Sequence, residues 1–144
     1  ISAHQLRQQD FVARVARSLG EHGLTGEDIE LEITESMAMR DPAATIEILK
    51  ALRDMGVLLA VDDFGTGYSS LSYLKLLPIH RLKLDRSFVM DIETDPTDAA
   101  ICAATIALAQ NLGGERTVSG ASTLSMQVAR LLVPRPRTMA GFTT

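Results

Sequence analysis

The chain has 144 residues, is 46% apolar and 22% charged, and carries a formal net charge of −4. That length accommodates one ordinary domain. The acidic balance gives no general attraction to DNA or RNA, and no apolar run reaches the roughly 18 residues of a membrane segment.

Ile1 to Ala3 reads as the tail of a strand. From about Gln8 to Leu19, Phe11, Val12, Val15 and Leu19 recur at helical spacing, with Gly20 and Gly23 closing the helix. Ile29 to Ile33 alternates as a strand, with Glu30 and Glu32 on one face. Glu35 is expected in a loop after it. Asp41-Pro42 reads as a cap and first residue of a helix striped by Ile46, Leu49, Leu52 and Met55 and stopped by Gly56. Leu58 to Val61 is a short apolar run suited to a strand buried on both faces. Asp62, Asp63, Phe64 and Gly65 follow as a loop. Ser70 to Leu76 predicts a short helix ended by Pro78. Arg81 to Asp85 predicts a strand with Leu82 and Leu84 on one face and Arg81, Lys83 and Asp85 on the other. Asp98 to Asn111 predicts a helix closed by Gly113-Gly114. Cys102 lies in that helix and reads as a small buried side chain. As the single cysteine, it excludes an internal disulfide and suits a reducing compartment. His4, His22 and His80 are scattered, without metal-ligand spacing.

Strands alternating with helices at this spacing indicate repeated βα units and a parallel sheet, an α/β class. Right-handed crossovers then put the C-terminal strand ends on one rim. Glu32, the Asp62–Asp63 pair and Lys83 each fall at or near such an end. Two adjacent carboxylates repel unless a cation lies between them. Adjacent strand residues also face opposite ways, so Asp62 and Asp63 reach one point only where the chain leaves the sheet. Carboxylates gathered with an ammonium group on one rim suit Mg²⁺ or Mn²⁺, which take oxygen ligands. The plainer readings are a turn cap for Asp62, a solvated Asp63, a surface Glu32, a Lys83–Asp85 salt bridge and a helix cap for Glu35.

Three segments together resemble successive motifs of the EAL domain: Leu31-Glu32-Ile33-Thr34-Glu35-Ser36, Asp62-Asp63-Phe64-Gly65-Thr66-Gly67-Tyr68-Ser69-Ser70 and Leu82-Lys83-Leu84-Asp85. That family comprises bacterial phosphodiesterases that hydrolyse cyclic di-GMP to linear pGpG on a modified TIM barrel. The resemblance implies a partial (β/α)₈ barrel, lacking the N-terminal strands, over residues 1–114. It implies Glu32, Asp62 and Asp63 as metal ligands for Mg²⁺ or Mn²⁺, and Lys83 as the residue that holds or helps activate the attacking water. It implies Glu35 as the anchor of a loop including Phe64, Gly65, Thr66 and Gly67, which couples substrate, metal and homodimer contact. Asp85 closes the third motif. The family acts in the cytoplasm, and this chain shows no membrane anchor.

The match departs from the family pattern at both ends. The chain starts without Met and without a secretory signal, and it reads as a fragment. The Glu-Ala-Leu signature and the strand-end Asn ligand would precede Ile1. Towards the other end, Ser119 and Ser122 stand where the family's Ala-Glu-Gly-Val-Glu-Thr segment has its two glutamates, so metal affinity is expected to fall. A tail over 115–144, a helix from about Ser122 to Leu132 and then a Pro/Arg-rich end, resembles a motif of peptidoglycan glycosyltransferases, with a junction expected near Leu112 to Glu115. The expectation is a cyclic di-GMP phosphodiesterase piece, inactive or nearly so alone. The alternatives are a non-catalytic module that binds nucleotide or protein, and a glycosyltransferase fragment.

Overall fold

The structure, a computed structural model, describes residues 1–67, 70–111 and 117–119. Tyr68, Ser69, Leu112, Ser122 and the expected tail helix lie outside the described residues.

Four strands form one parallel sheet in the order β1-β2-β3-β4: β1 (Glu30–Thr34), β2 (Leu58–Phe64), β3 (Arg81–Leu84) and β4 (Thr117–Ser119). Each strand pairs with the next in sequence, and helices fill the crossovers, as parallel connections require. Leu59, Ala60 and Val61 of β2 are all buried, so both faces of this strand are covered. A strand covered on both faces needs no polar alternation.

The helices are α1 (Ala3–Leu6), α2 (Phe11–Glu21), α3 (Glu35–Arg40), α4 (Pro42–Asp54), α5 (Leu71–Leu76), α6 (Arg86–Met90) and α7 (Pro96–Asn111). The expected cap at Asp41 is present: its carboxylate accepts the Ala44 N–H at 3.2 Å, with Pro42 at the first helical position. Ile46, Leu49 and Leu52 of α4 are buried, and they share one core with Ile33, Leu59, Val61 and Leu82 from the sheet. Gly56, at φ +87, ends the connection, a conformation that costs glycine nothing. At Gly26 the reason for glycine is different: a Cβ there would lie 2.0 Å from the Met55 carbonyl oxygen.

Several boundaries differ from expectation. Ile1 to Ala3 is not a strand tail. Ser2 caps α1 in a reciprocal bond pair with Gln5, while the Ile1 amine donates to the Glu32 carbonyl at 2.9 Å, so the first residue lies beside β1. α2 continues through Gly20, because a glycine in a solvent-facing turn weakens a helix without ending it. β2 extends through Asp62 and Asp63 to Phe64, where the apolar pattern had ended at Val61. Glu35 is not in a loop; it opens α3, and Thr34 caps that helix by accepting the Met37 N–H at 3.3 Å. Asp85 is not in β3. It caps α6, a helix absent from the sequence expectation, by accepting the Ser87 N–H at 2.9 Å.

Candidate functional site on the C-terminal rim

β2 ends irregularly. Its pairing with β3 shifts register between Val61 and Phe64, and Asp63 takes a left-handed backbone at φ 54. Aspartate tolerates that region better than most residues. The irregularity breaks strict side-to-side alternation at the acidic pair, although the strand resumes at Phe64 opposite Leu84. The Asp62 carboxylate accepts the Asp63 N–H at 2.9 Å, and Thr66 closes the turn on the Asp63 carbonyl through its hydroxyl at 2.8 Å.

Beside this turn, Lys83 on β3 donates to Glu32 Oε1 on β1 at 2.8 Å, and its Nζ stands 3.8 Å from Asp62 Oδ1. Three strands therefore deliver one ammonium and two carboxylates to one place. Lys83 does not bridge to Asp85, as the plainer reading had it, because Asp85 is committed to the α6 cap. The hydrogen bond to Glu32 raises the Lys83 pKa; burial opposes it, and the charge of Asp62 adds to the rise. Its two carboxylate neighbours thus favour the ammonium form of Lys83. Its side chain is 32% exposed and that of Glu32 39%. An ion pair so wetted contributes only about 0–1 kcal/mol to folding, so stability is a weak reason for the arrangement.

Glu35 supports the turn from below. It is 2% exposed, and its Oε2 accepts the N–H of Gly65 at 2.9 Å and of Gly67 at 3.0 Å. Gly65 sits at φ +101 with no room for a side chain: a Cβ would meet the Phe88 ring of α6 at 2.8 Å. Phe88 is thus a neighbour of the loop that the sequence reading missed. Its signal was the Asp85-x-Ser87 cap, which turns α6 back over the loop. Phe64 is buried at 7% exposure and closes β2 against the core. Cys102 on α7 is buried as expected, its thiol donating to the Phe88 carbonyl at 3.4 Å. Burial pushes its pKa up, with Asp98 adding to the effect.

Among the described residues, no three His, Cys, Asp or Glu side chains are gathered as a metal centre. The convergence seen is of Glu32 and Asp62 on the Lys83 ammonium, with Asp63 exposed alongside. The donor chemistry fits a hard divalent cation: carboxylate oxygens already face one centre of positive charge, at the end of a parallel strand. Lower on the same sheet face lies a second ion pair, Arg81 Nη1 to the two Glu30 oxygens at 3.0 and 2.9 Å. No helix among the described residues is long and apolar enough to cross a membrane.

A mixed α/β fold with a parallel sheet and an acidic rim is a class shared by many enzymes. Comparison narrows it: the sequence pattern of the EAL domain matches residues 1–124, and the chain belongs to that family. The match runs past the junction expected near Leu112 to Glu115. The chain is 44% identical over 127 residues to the bifunctional diguanylate cyclase/cyclic di-GMP phosphodiesterase MucR of Pseudomonas aeruginosa, covering 88% of this chain and 18% of that protein. It superposes on the solved MucR phosphodiesterase in complex with c-di-GMP with a TM-score of 0.82 at 40% identity, covering 92% of this chain and 54% of that one. It also superposes on Klebsiella pneumoniae BlrP1 with manganese and cyclic di-GMP, with a TM-score of 0.71 at 34% identity, covering 81% of this chain and 29% of that one. The chain thus spans only part of each. The glycosyltransferase likeness expected of the tail gains no support from these relatives.

Proposed function

We propose that this chain supplies the acidic rim of a cyclic di-GMP phosphodiesterase site that yields linear pGpG with Mg²⁺ or Mn²⁺. The observation that carries the reading is the meeting of Glu32, Asp62 and Lys83 from three adjacent parallel strands. In this reading the four strands are consecutive strands of a (β/α)₈ barrel, whose sites form at this end. Glu32, Asp62 and Asp63 would hold the metal. When bound, divalent ions neutralise phosphate charge and make water a better nucleophile. Lys83, held protonated, orients that water and takes up negative charge developing on the phosphate. Glu35 fixes Gly65 and Gly67, and with them the turn that carries Asp63 and Thr66. The same loop offers a homodimer contact, and the domain works in the cytoplasm.

A second reading, a binding module without turnover, draws on Ser119. It lies on β4 at the register position of Lys83, and it brings no charge where the family motif has glutamate. The two separate by chromatographic assay of pGpG with Mn²⁺. The phosphodiesterase reading expects no more than a trace from the 144-residue chain, measurable formation by Ser119→Glu and none by Lys83→Ala. Saturable binding of cyclic di-GMP with no pGpG from either the parent or Ser119→Glu would establish the binding module. Neither binding nor pGpG would overturn both.

A further inference from the structure

We propose that the Glu30–Arg81 ion pair is a positioning device for the rim: Glu30 holds Arg81 away from Glu32, which leaves Glu32 to Lys83 and to a divalent cation. The proposal rests on the reading of Glu32 as a metal ligand.

β1 and β3 are not neighbours. They flank β2, so their backbones stand two strand spacings apart, roughly 10 Å. The register places Glu32, Ala60 and Arg81 in one row across the three strands. Ala60 is fully buried at 0% exposure. Its single methyl leaves a shallow trough over β2, and only long side chains reach across it. Within the row, Glu32 directly faces Arg81, yet the two do not pair. The pairing is staggered by one step: Glu30 takes Arg81 at 2.9 and 3.0 Å, and Glu32 takes Lys83 at 2.8 Å.

The stagger matters because the two cations are unlike. A guanidinium is permanently charged and presents a fork of donors matched to a carboxylate. Seated on Glu32, it would occupy the oxygen lone pairs a metal needs and displace Lys83. Glu30 prevents this by taking both of its own oxygens to one guanidinium nitrogen. Aspartate at position 30 would keep the charge but fall one methylene short of the crossing.

The test is Mn²⁺ titration of the 144-residue chain by electron paramagnetic resonance. Glu30→Asp is expected to weaken Mn²⁺ binding by about tenfold or more, the size seen when partners of metal ligands are lost. Adding Arg81→Gln to it should restore the affinity, which general loosening of the fold would not allow. Unchanged affinity in Glu30→Asp, the outcome if net charge alone counts, overturns the proposal, as does a double variant no better than the single. A thermal-unfolding cycle on Arg81→Gln and Glu32→Gln needs no metal. It should show no coupling in the parent and a clear coupling in the Glu30→Asp background; its absence there overturns the proposal independently. Coupling in a parent chain that binds no Mn²⁺ at a site sensitive to Asp62→Asn would instead sink the metal reading of Glu32, and the proposal with it.

Discussion

Replacing Glu35 by alanine should unfasten the rim loop. The carboxylate is 2% exposed and accepts two backbone N–H bonds, at 2.9 and 3.0 Å, from Gly65 and Gly67. A hydrogen bond to a charged group contributes about 1.5–3 kcal/mol, so the two together contribute about 3–6 kcal/mol. Gly65 and Gly67 are themselves exposed, and their freed N–H groups can bond water, which puts the expected loss at the lower end, about 3 kcal/mol. That weakens the folding equilibrium by roughly two orders of magnitude and lowers the melting temperature by about 10 °C for a chain of this size. Glu35→Gln keeps an acceptor oxygen and the shape, and should lose about half as much, since neutral hydrogen bonds are about half as strong. Equilibrium urea unfolding measures the loss, and amide exchange at Gly65 and Gly67 locates it. A loss below about 1 kcal/mol with unchanged exchange at both glycines would refute the claim that Glu35 holds this loop.

Three further outcomes are expected. Gly65→Ala puts a methyl 2.8 Å from the Phe88 ring at φ +101 and should cost about 1–3 kcal/mol; Gly65→Ala with Phe88→Ala should relieve the clash but not the backbone strain, which a double-mutant cycle will resolve. Gly26→Ala drives a Cβ to 2.0 Å from a backbone oxygen, a clash no rotamer relieves, and should destabilise by about 3 kcal/mol or more in urea unfolding. Asp28 has its pKa lowered by the Thr25 backbone N–H and then by the Thr25 hydroxyl. A carboxylate depressed in the folded state stabilises above its unfolded value and loses that contribution as pH falls through the folded one. The gap in melting temperature between the parent and Asp28→Asn should therefore be open at neutral pH and close in acid below the ordinary aspartate range. A gap that widens in acid contradicts this.

The sequence made the α/β alternation and the rim legible because both rest on local patterns: the Ile29 to Ile33 alternation, the Asp41-Pro42 cap, and acidic residues placed where apolar runs stop. What it hid depends on the third dimension. Asp62 to Phe64 count as strand because Asp62 pairs with Thr34 of β1 and Phe64 with Leu84 of β3, while the composition after Val61 reads as loop. Glu35 looked like a loop residue because Thr34, one position before it, does the capping. Lys83 has Asp85 two residues away in sequence, so that pair stood as the plainer alternative. Glu32 wins because β1, β2 and β3 lie in chain order and Ala60 lets long side chains cross. Glu30 and Arg81 drew no notice as a pair because they are 51 residues apart and on strands that do not touch.

Glu32, Asp62 and Lys83 are proposed to form one metal-dependent site for cyclic di-GMP. Calorimetric titration of cyclic di-GMP into the 144-residue chain, with and without Ca²⁺, tests it most directly. Saturable binding that requires the cation, and that is lost in Asp62→Asn, is the expected result. Binding indifferent to both the cation and Asp62, or no binding by the parent chain, would contradict it.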